Sequence, residues 1–230
     1  MGLCSTEVYT SFGVRCIVAP RVPNNAGSLA TVRTTAPEGC VLNARHPAPV
    51  AARSVIGHLL PGVVFGCLIQ ALPDGVPAEG TSGLWNLRIM GGLGRVEGDP
   101  ALLAKATPFN ATSFHSGGTG ARPRTDGLSA TAFPSGVRNV AVEITEALGP
   151  VVIWKKEFRT DSSGAGEYRG GLGQVMEVGS TEDMPFGVST TFDQVHYPPR
   201  ERLGGPPGLA GRGAWAGVSR QGARALGEPP

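Results

Sequence analysis

A histidine beside a glycine-rich loop is the part of the sequence best suited to chemistry. His115 precedes the run Ser116–Gly127, SGGTGARPRTDG, which contains Arg122, Arg124 and Asp126. The ordinary pKa of a histidine, about 6.5, lies near neutrality, so His115 is a candidate general base. Positive charge beside a flexible backbone can line a pocket for a carboxylate or amide substrate. A turn-rich surface loop next to a packed histidine is the competing interpretation, and the sequence leaves both open.

A second glycine-rich run, Phe158–Gly173, reads FRTDSSGAGEYRGGLG and follows a predicted strand. Glycine amides can approach an anion closely, but this run lacks the G-x-x-x-x-G-K-[ST] order. The segment after it is predicted to be a strand, so no helix amino terminus faces a phosphate there. We therefore expect a hairpin or bulged connection that needs positive φ angles, with Asp161 and Arg169 paired across it.

Composition and spacing argue against several classes of function. The chain of 230 residues has 20 basic and 18 acidic side chains, and a net charge of +2 gives no electrostatic reason to expect nucleic acid or an anionic membrane. The cysteines and histidines lack zinc-site spacing, and no serine lies in a G-x-S-x-G elbow, so no metal ligand or covalent nucleophile is assigned. The first residues lack the pattern of a secretory signal, which predicts a cytoplasmic protein with reduced thiols.

The longest apolar stretch predicts a helix from Ala48 to Leu72. Within it, the 19 residues Ser54–Leu72 carry no formal charge, a length close to that of a membrane span. His58, Pro61 and Gln70 interrupt this stretch, which favours a buried helix of a soluble protein. Apolar residues lie all round this helix, so we expect it at the centre of the core or against a partner subunit, with a kink at Pro61.

The remaining patterns predict strands in most of the second half. We expect short helices over Glu7–Val18 and Val140–Leu148, and strands over Ser28–Thr34, Leu84–Ile89, Phe109–Phe114, Val151–Arg159, Gln174–Gly179 and Gly187–Phe192. The predicted fold class is therefore α+β: one long buried helix packed with a mixed or antiparallel β-sheet, in a loop-rich chain with glycine-rich connections. The Gly/Pro/Arg-rich segment 204–230 is expected to be poorly ordered.

Five segments in order carry a resemblance to a known family. They are VPNNAG from Val22, PEGCVLNARHPAPV from Pro37, the run from Ser116 to Ala147 that includes DGLSATAFPSGVRN, FRTDSSGAGEYRGGLGQ from Phe158, and GGPPGLAGR from Gly204. The chain resembles the carboxy-terminal half of the hydantoinase B/5-oxoprolinase family, in particular its N-methylhydantoinase B type. The resemblance identifies residues 1–203 as the carboxy-terminal part of a hydantoinase B-like domain.

The resemblance implies an ATP-dependent hydrolase of cyclic amides such as hydantoin, N-methylhydantoin or 5-oxoproline. In this family an A-type component binds ATP and phosphorylates the substrate carbonyl, and a B-type component completes the hydrolysis. The implied partner is thus a hydantoinase A-type subunit, which binds the ATP in place of this chain. Acetone and acetophenone carboxylases are related, so a carboxylase-type subunit remains an alternative.

Under this hypothesis we assign roles to particular residues. We expect Arg122, Asp126, Arg138 and Asn139 to line the substrate side as orienting groups, with His115 as a proton carrier. The family's metal-binding histidine and aspartate residues lie upstream of the residues present here, so a divalent metal is expected in that upstream half. The chain is then a partial B-type subunit that is inactive alone. A non-catalytic assembly fragment and a chain with no stable fold are the alternatives.

Overall fold

The computed structural model describes residues 2–50, 53–81, 85–91, 100–103, 107–181, 186–200, 202 and 208. In chain order they form α1 (Gly2–Val18), α2 (Ala26–Leu29), α3 (Arg53–Leu68), β1 (Trp85–Gly91), α4 (Pro100–Leu103), β2 (Phe109–His115), α5 (Val142–Glu146), β3 (Val151–Phe158), β4 (Gln174–Ser180) and β5 (Phe186–Thr191). The combination of helices with antiparallel sheets confirms the α+β class. The expectation of poor order for residues 204–230 concerns residues outside this description, apart from Gly208.

Helices α1 and α3 pack against each other. Val14 and Phe65 form a buried cluster with Val76, and the rings of Tyr9 and His58 lie 4.9 Å apart between the two helices. The helix α3 spans the buried Pro61 but ends at Leu68, four residues before the predicted end. No helix of the described residues has both the length and the apolarity to cross a bilayer.

The helix α3 is not buried on every side within this chain, and its packing against a partner subunit, the other expectation, stays a prediction. Phe65 is 2% exposed, but Val63 is 57% exposed and Cys67 also faces solvent. The main packing partner of α3 is α1, where the sequence had predicted a helix packed on the sheet. Apolar composition therefore indicated the helix correctly but not its surroundings, because α1 covers a single face of it.

The predicted strand Ser28–Thr34 is also wrong, because the short helix α2 occupies its start. The side chain of Asn25 accepts a hydrogen bond from the Ser28 amide at 2.9 Å, and the Asn25 amide donates to Ser28 Oγ at 3.2 Å. This reciprocal capping box starts a helix and satisfies its first amide groups. Local capping thus outweighs the alternation of apolar and polar residues that suggested a strand.

Two antiparallel sheets form the second half of the fold and confirm the other predicted strands, although Leu84 lies outside the described residues. The strand β1 lies between β2 and β5, and β3 pairs with β4. The register places Ile89 opposite Ala111 and Val188, so these three residues share one face. Ile89 and Val151 pack in one buried cluster between the two sheets, which also includes Leu87, Phe109, Met176, Val178, Phe186 and Val188. We call the space between the two sheets the inter-sheet layer.

Candidate functional site

A β-bulge in β3 turns Lys156 toward the inter-sheet layer. The ladder pairs Ile153 with Val178 and then shifts, so that Lys156 pairs with Met176, a residue of the inter-sheet cluster. Regular alternation after Ile153 would bring Lys155 to the inner face; the extra residue of the bulge brings Lys156 there instead. A lysine therefore lies at one end of the inter-sheet layer.

His115 ends β2 on the same buried layer. Its side chain is 4% exposed, and it lies opposite Trp85 of β1. The ring of Phe192 meets His115 edge-on at a centroid distance of 6.4 Å and stacks on Trp85 at 4.9 Å. Two residues earlier on the same face, Ser113 is fully buried. Neither His115 Nε2 nor Ser113 Oγ has a hydrogen-bond partner among the described residues.

Electrostatics keep the imidazole of His115 neutral. Burial, and secondly the positive charge of Lys156, lower the pKa of His115 from 6.5 to about 4. Burial also lowers the pKa of Lys156, against the opposing effect of the Glu143 carboxylate. The pKa of His115 is thus well below the ordinary value from which the sequence indicated a general base. At neutral pH a group with so low a pKa is a hydrogen-bonding group and only a weak base.

Gln174 joins this region to Asn139, one of the predicted site residues. Its Nε2 donates to the carbonyl oxygen of Ser116 at 2.8 Å and to Asn139 Oδ1 at 3.0 Å. Asn139 Nδ2 in turn donates to the carbonyl oxygen of Ala130 at 3.2 Å. Since Ser116 follows His115 directly, Asn139 and His115 are brought to the same end of β2. We call Ser113, His115, Lys156 and Gln174 the polar end of the inter-sheet layer.

The predicted residues Arg122 and Asp126 have partners within their own loop. Arg122 Nε donates to the Asp126 carbonyl oxygen at 2.9 Å, and the backbones of Arg122 and Thr125 bond each other. The Asp126 carboxylate accepts from the Arg169 amide at 2.8 Å and lies 3.8 Å from the Arg169 guanidinium. Arg138 is exposed and precedes Asn139. The structure therefore places Asn139 beside the His115 segment, and gives Arg122 and Asp126 contacts that hold a loop.

The expected pair of Asp161 and Arg169 is wrong, because Arg169 interacts with Asp126. A positive φ does occur in this second loop, as expected, but not at its glycines. Within residues 159–173 the positive φ, 54°, belongs to Asp161, and none of the glycines there has a φ between +20° and +160°. Another property of glycine must explain their abundance.

That property is close backbone contact between the two glycine-rich loops. A Cβ atom on Gly118 would lie 1.8 Å from the carbonyl oxygen of Gly171, and one on Gly171 would lie 2.1 Å from that of Leu128. The amides of Thr119, Gly127 and Gly171 donate to carbonyl oxygens of neighbouring segments. Because these three amides are used internally, they are not available to a phosphate.

Metal-ligating side chains do not gather in the described part of the chain. No group of three or more histidine, cysteine, aspartate or glutamate residues lies close enough to hold an ion there. Cys16, Cys40 and Cys67 are free thiols. We therefore assign none of the described residues as a metal ligand.

Three polar-end residues were not predicted as site residues: Ser113, Lys156 and Gln174. Gln174 closes the GEYRGGLGQ segment but has no distinctive local pattern, and its role depends on a contact 35 residues away in sequence. For Lys156 the decisive feature is the bulge, and Val151–Phe158 carries no glycine that would have indicated one.

The profile of the Hydantoinase B/oxoprolinase family matches residues 2–227. The chain belongs to this family. The family resemblance stated from the sequence is thereby confirmed.

Relatives of this hydantoinase B family chain are substantially longer than it is. It is 34% identical over 170 residues to an uncharacterised protein of Methanocaldococcus jannaschii, with 73% of this chain and 28% of that protein covered. It is 28% identical to a Pseudomonas sp. (strain NS671) protein named as the B-type subunit of a D-/L-hydantoinase, with 72% of this chain and 26% of that protein covered. It is 28% identical to the 5-oxoprolinase of Dictyostelium discoideum, with 85% of this chain and 14% of that protein covered. The chain thus spans less than a third of each relative.

A solved structure shares the fold. The crystal structure of an ATP-dependent caprolactamase from Pseudomonas jessenii superposes with a TM-score of 0.56 at 29% sequence identity. The superposition covers 76% of this chain and 29% of the caprolactamase chain. The matched portion of a much longer enzyme therefore has the same arrangement of elements.

Proposed function

We propose that this chain is part of a B-type subunit of an ATP-dependent cyclic-amide hydrolase. Its expected substrates are hydantoin, N-methylhydantoin or 5-oxoproline, and it works with an ATP-binding A-type subunit. The observation that carries the proposal is the family match along nearly the whole chain. The similarity to a caprolactamase, whose substrate class is also a ring amide, supports it. Because the chain spans about a quarter of such proteins, it contributes only part of the catalytic machinery.

The chemistry explains the need for ATP. A ring amide resists attack by water, and transfer of the terminal phosphoryl group of ATP to its oxygen releases ADP and creates a good leaving group. Water then adds to the same carbon, the ring C–N bond breaks to leave an acyl phosphate, and a second water hydrolyses this acyl phosphate with release of phosphate. The nitrogen takes up a proton, giving an amine and a carboxylate. We assign the ATP-binding step to the A-type partner, as the family resemblance implies, and several amides of the glycine-rich loops are donated to the chain's own carbonyl groups.

Within this scheme the chain presents orienting groups to the substrate. Asn139 is held by Gln174 beside the His115 segment, and exposed Arg138 adjoins it. Arg122 retains further guanidinium N–H groups beyond the Nε contact to Asp126, so it can both hold its loop and bind a substrate oxygen. His115 contributes a neutral imidazole, which can carry a proton during turnover once substrate changes its surroundings.

The proposal is tested with a chimera. The matching segment of the Pseudomonas jessenii caprolactamase is replaced by this chain, and ATP-dependent opening of caprolactam is measured by release of the amino acid and ADP. Turnover within about tenfold of the parent enzyme supports the proposal. A chimera that assembles and binds ATP but does not open the ring counts against it, as does ring opening with ATP use by this chain in isolation.

Residue roles are tested in the same chimera. Arg122→Ala should raise KM or lower kcat at least tenfold. Arg124→Asn is the matched control, because Arg124 lies in the same turn with a φ of 71°, a backbone conformation that asparagine tolerates. Equal kinetics for both variants would remove Arg122 from the substrate side.

The second candidate function is a non-catalytic assembly segment. The enclosure of His115 and the internal partners of Arg122 and Asp126 favour it, since groups committed to packing and loop contacts are less available to a substrate. Stable co-purification with an A-type subunit, without turnover even when the preceding part of a B-type subunit is supplied, would favour this function over the first.

A further inference from the structure

We propose that the polar end of the inter-sheet layer binds an anionic oxygen group through Lys156, His115 and Ser113. The ligand class is a phosphate or a carboxylate, the two anions that opening of a phosphorylated ring amide produces. This choice of ligand rests on the proposed function, and the site itself rests on the geometry of the two sheets. None of these three residues was assigned an anion-binding role by the sequence.

Lys156 has more hydrogen-bond donors than its contact within the fold uses. Its ammonium has three hydrogens, and Nζ donates to the Val140 carbonyl oxygen at 2.5 Å. Two hydrogens therefore remain for a ligand. The bulge in β3 puts Lys156 on the inner face of the strand, whereas the neighbouring Lys155 pairs with Glu157 at 2.8 Å.

Two buried polar atoms lie on the inner face of β2. Ser113 Oγ and His115 Nε2 lie on one face of β2 and have no hydrogen-bond partner among the described residues. Buried polar atoms are almost always hydrogen-bonded, because leaving one unpaired costs about 1–3 kcal/mol. Both atoms lie on the inner face of β2, and the bulge puts Lys156 on the inner face of β3, so the three groups belong to one layer with unfilled hydrogen-bonding capacity.

The three side chains offer positive charge and hydrogen-bond donors. Lys156 brings a positive charge, Ser113 brings a hydroxyl, and a neutral His115 with its proton on Nε2 brings an N–H. These are donors, and a charged donor prefers an ionised acceptor oxygen. The carboxylate of Glu143, an exposed residue of α5, raises the pKa of Lys156, but by less than burial lowers it. The donor set therefore selects an anion over a metal cation.

The test follows the imidazole of His115 by NMR in the full chain, titrated with pH in the absence of anion, with inorganic phosphate, and with acetate as a carboxylate probe. A bound anion should raise the pKa of His115 by about one unit, because an opposite charge favours the protonated ring. A shift with phosphate alone assigns the site to a phosphoryl group, and a shift with acetate alone assigns it to a carboxylate. No shift with either anion overturns the proposal.

Variants separate binding from a structural role of the lysine. Lys156→Met should abolish the anion-dependent shift, whereas the matched control Lys155→Met should retain it. Lys156→Arg, which keeps the charge, should retain a shift if Lys156→Met fails to fold. An anion-dependent shift that persists in Lys156→Met would also overturn the proposal. Neither ATP nor a cyclic amide enters this experiment, so its failure and the failure of the ring-opening assay are distinguishable.

Discussion

The side-chain amide of Gln174 is shared between Asn139 and the backbone that follows His115. Its nitrogen donates to Asn139 Oδ1 at 3.0 Å and to the Ser116 carbonyl oxygen at 2.8 Å. The amide has two hydrogens, so these contacts use its full donor capacity. The start of β4 is thereby joined both to the end of β2 and to the segment that leads into α5.

Replacing this amide should destabilise the fold. Gln174→Leu leaves Asn139 Oδ1 and the Ser116 carbonyl oxygen without their donor, so we expect a loss of about 1–3 kcal/mol in the free energy of unfolding. Urea denaturation followed by circular dichroism measures it. The control is Arg138→Ala, an exposed position expected to change stability by less than about 0.5 kcal/mol. Equal values for the two variants would contradict the role given to Gln174.

The contact between the glycine-rich loops gives a second prediction. Gly118→Ala places a methyl group 1.8 Å from the Gly171 carbonyl oxygen, and backbone cannot move aside as a flexible side chain can. We expect a loss of more than about 3 kcal/mol, or no cooperative unfolding transition in a thermal melt. Gly66→Ala is the matched control. Gly66 lies on the exposed side of α3, where the nearest atom would be 3.7 Å away, so stability should rise by up to about 1 kcal/mol.

The strands and the helices α1 and α5 were predictable because their residues repeat with the periods of those elements. Alternation over Phe109–Phe114 and Gln174–Gly179 indicated β2 and β4 to within a residue. The alternation of apolar and polar residues over Ser28–Thr34 gave a wrong prediction, because the capping box of Asn25 and Ser28 starts a helix there. The exposure of Val63 could not be predicted either, because it depends on which neighbour covers α3.

The candidate site was predictable in part. His115 and Asn139 were identified by residue type and by resemblance, and they lie at one end of β2. Lys156 was missed because a one-residue bulge reverses the direction of every following side chain, and bulges have no reliable sequence signal. The lowered pKa of His115 was missed for a related reason, since burial and Lys156 cause it and neither is visible in the sequence around the histidine.

The lowered pKa of His115 predicts that acid destabilises the fold. Between pH 6.5 and about 4 the unfolded chain binds a proton at this histidine and the folded chain does not, so stability falls as the pH falls through this range. The difference between 6.5 and about 4 corresponds to roughly 3 kcal/mol at the acid end. Urea denaturation at pH 7 and at pH 4.5 measures the change.

A histidine variant isolates this contribution. His115→Gln should lessen the loss of stability between pH 7 and pH 4.5, whereas His196→Gln, at an exposed position, should leave the loss as it is in the parent chain. The Lys156→Met variant should show a smaller acid loss than the parent chain, because its missing charge no longer opposes protonation of His115. A parent chain with constant stability over this range would refute the assignment.

Ser113 separates a ligand-binding hydroxyl from a structural one. Its Oγ is buried without a partner among the described residues, so Ser113→Ala removes an unsatisfied polar group and should leave stability unchanged or raise it by about 1 kcal/mol. Ser11 is the matched comparison, since it is equally buried but its Oγ donates to the Val32 carbonyl oxygen at 3.1 Å. Ser11→Ala should therefore cost about 1 kcal/mol.

The two serine variants should rank in the opposite order when anion binding is measured instead of stability. Ser113→Ala should weaken the effect of phosphate or acetate on the pKa of His115, because it removes one donor from the polar end, while Ser11→Ala should leave that effect intact. Denaturation without anion and NMR titration with anion measure the two properties separately. A Ser113→Ala variant that loses as much stability as Ser11→Ala and keeps its full anion response would show that the Ser113 hydroxyl belongs to the fold and not to a binding site.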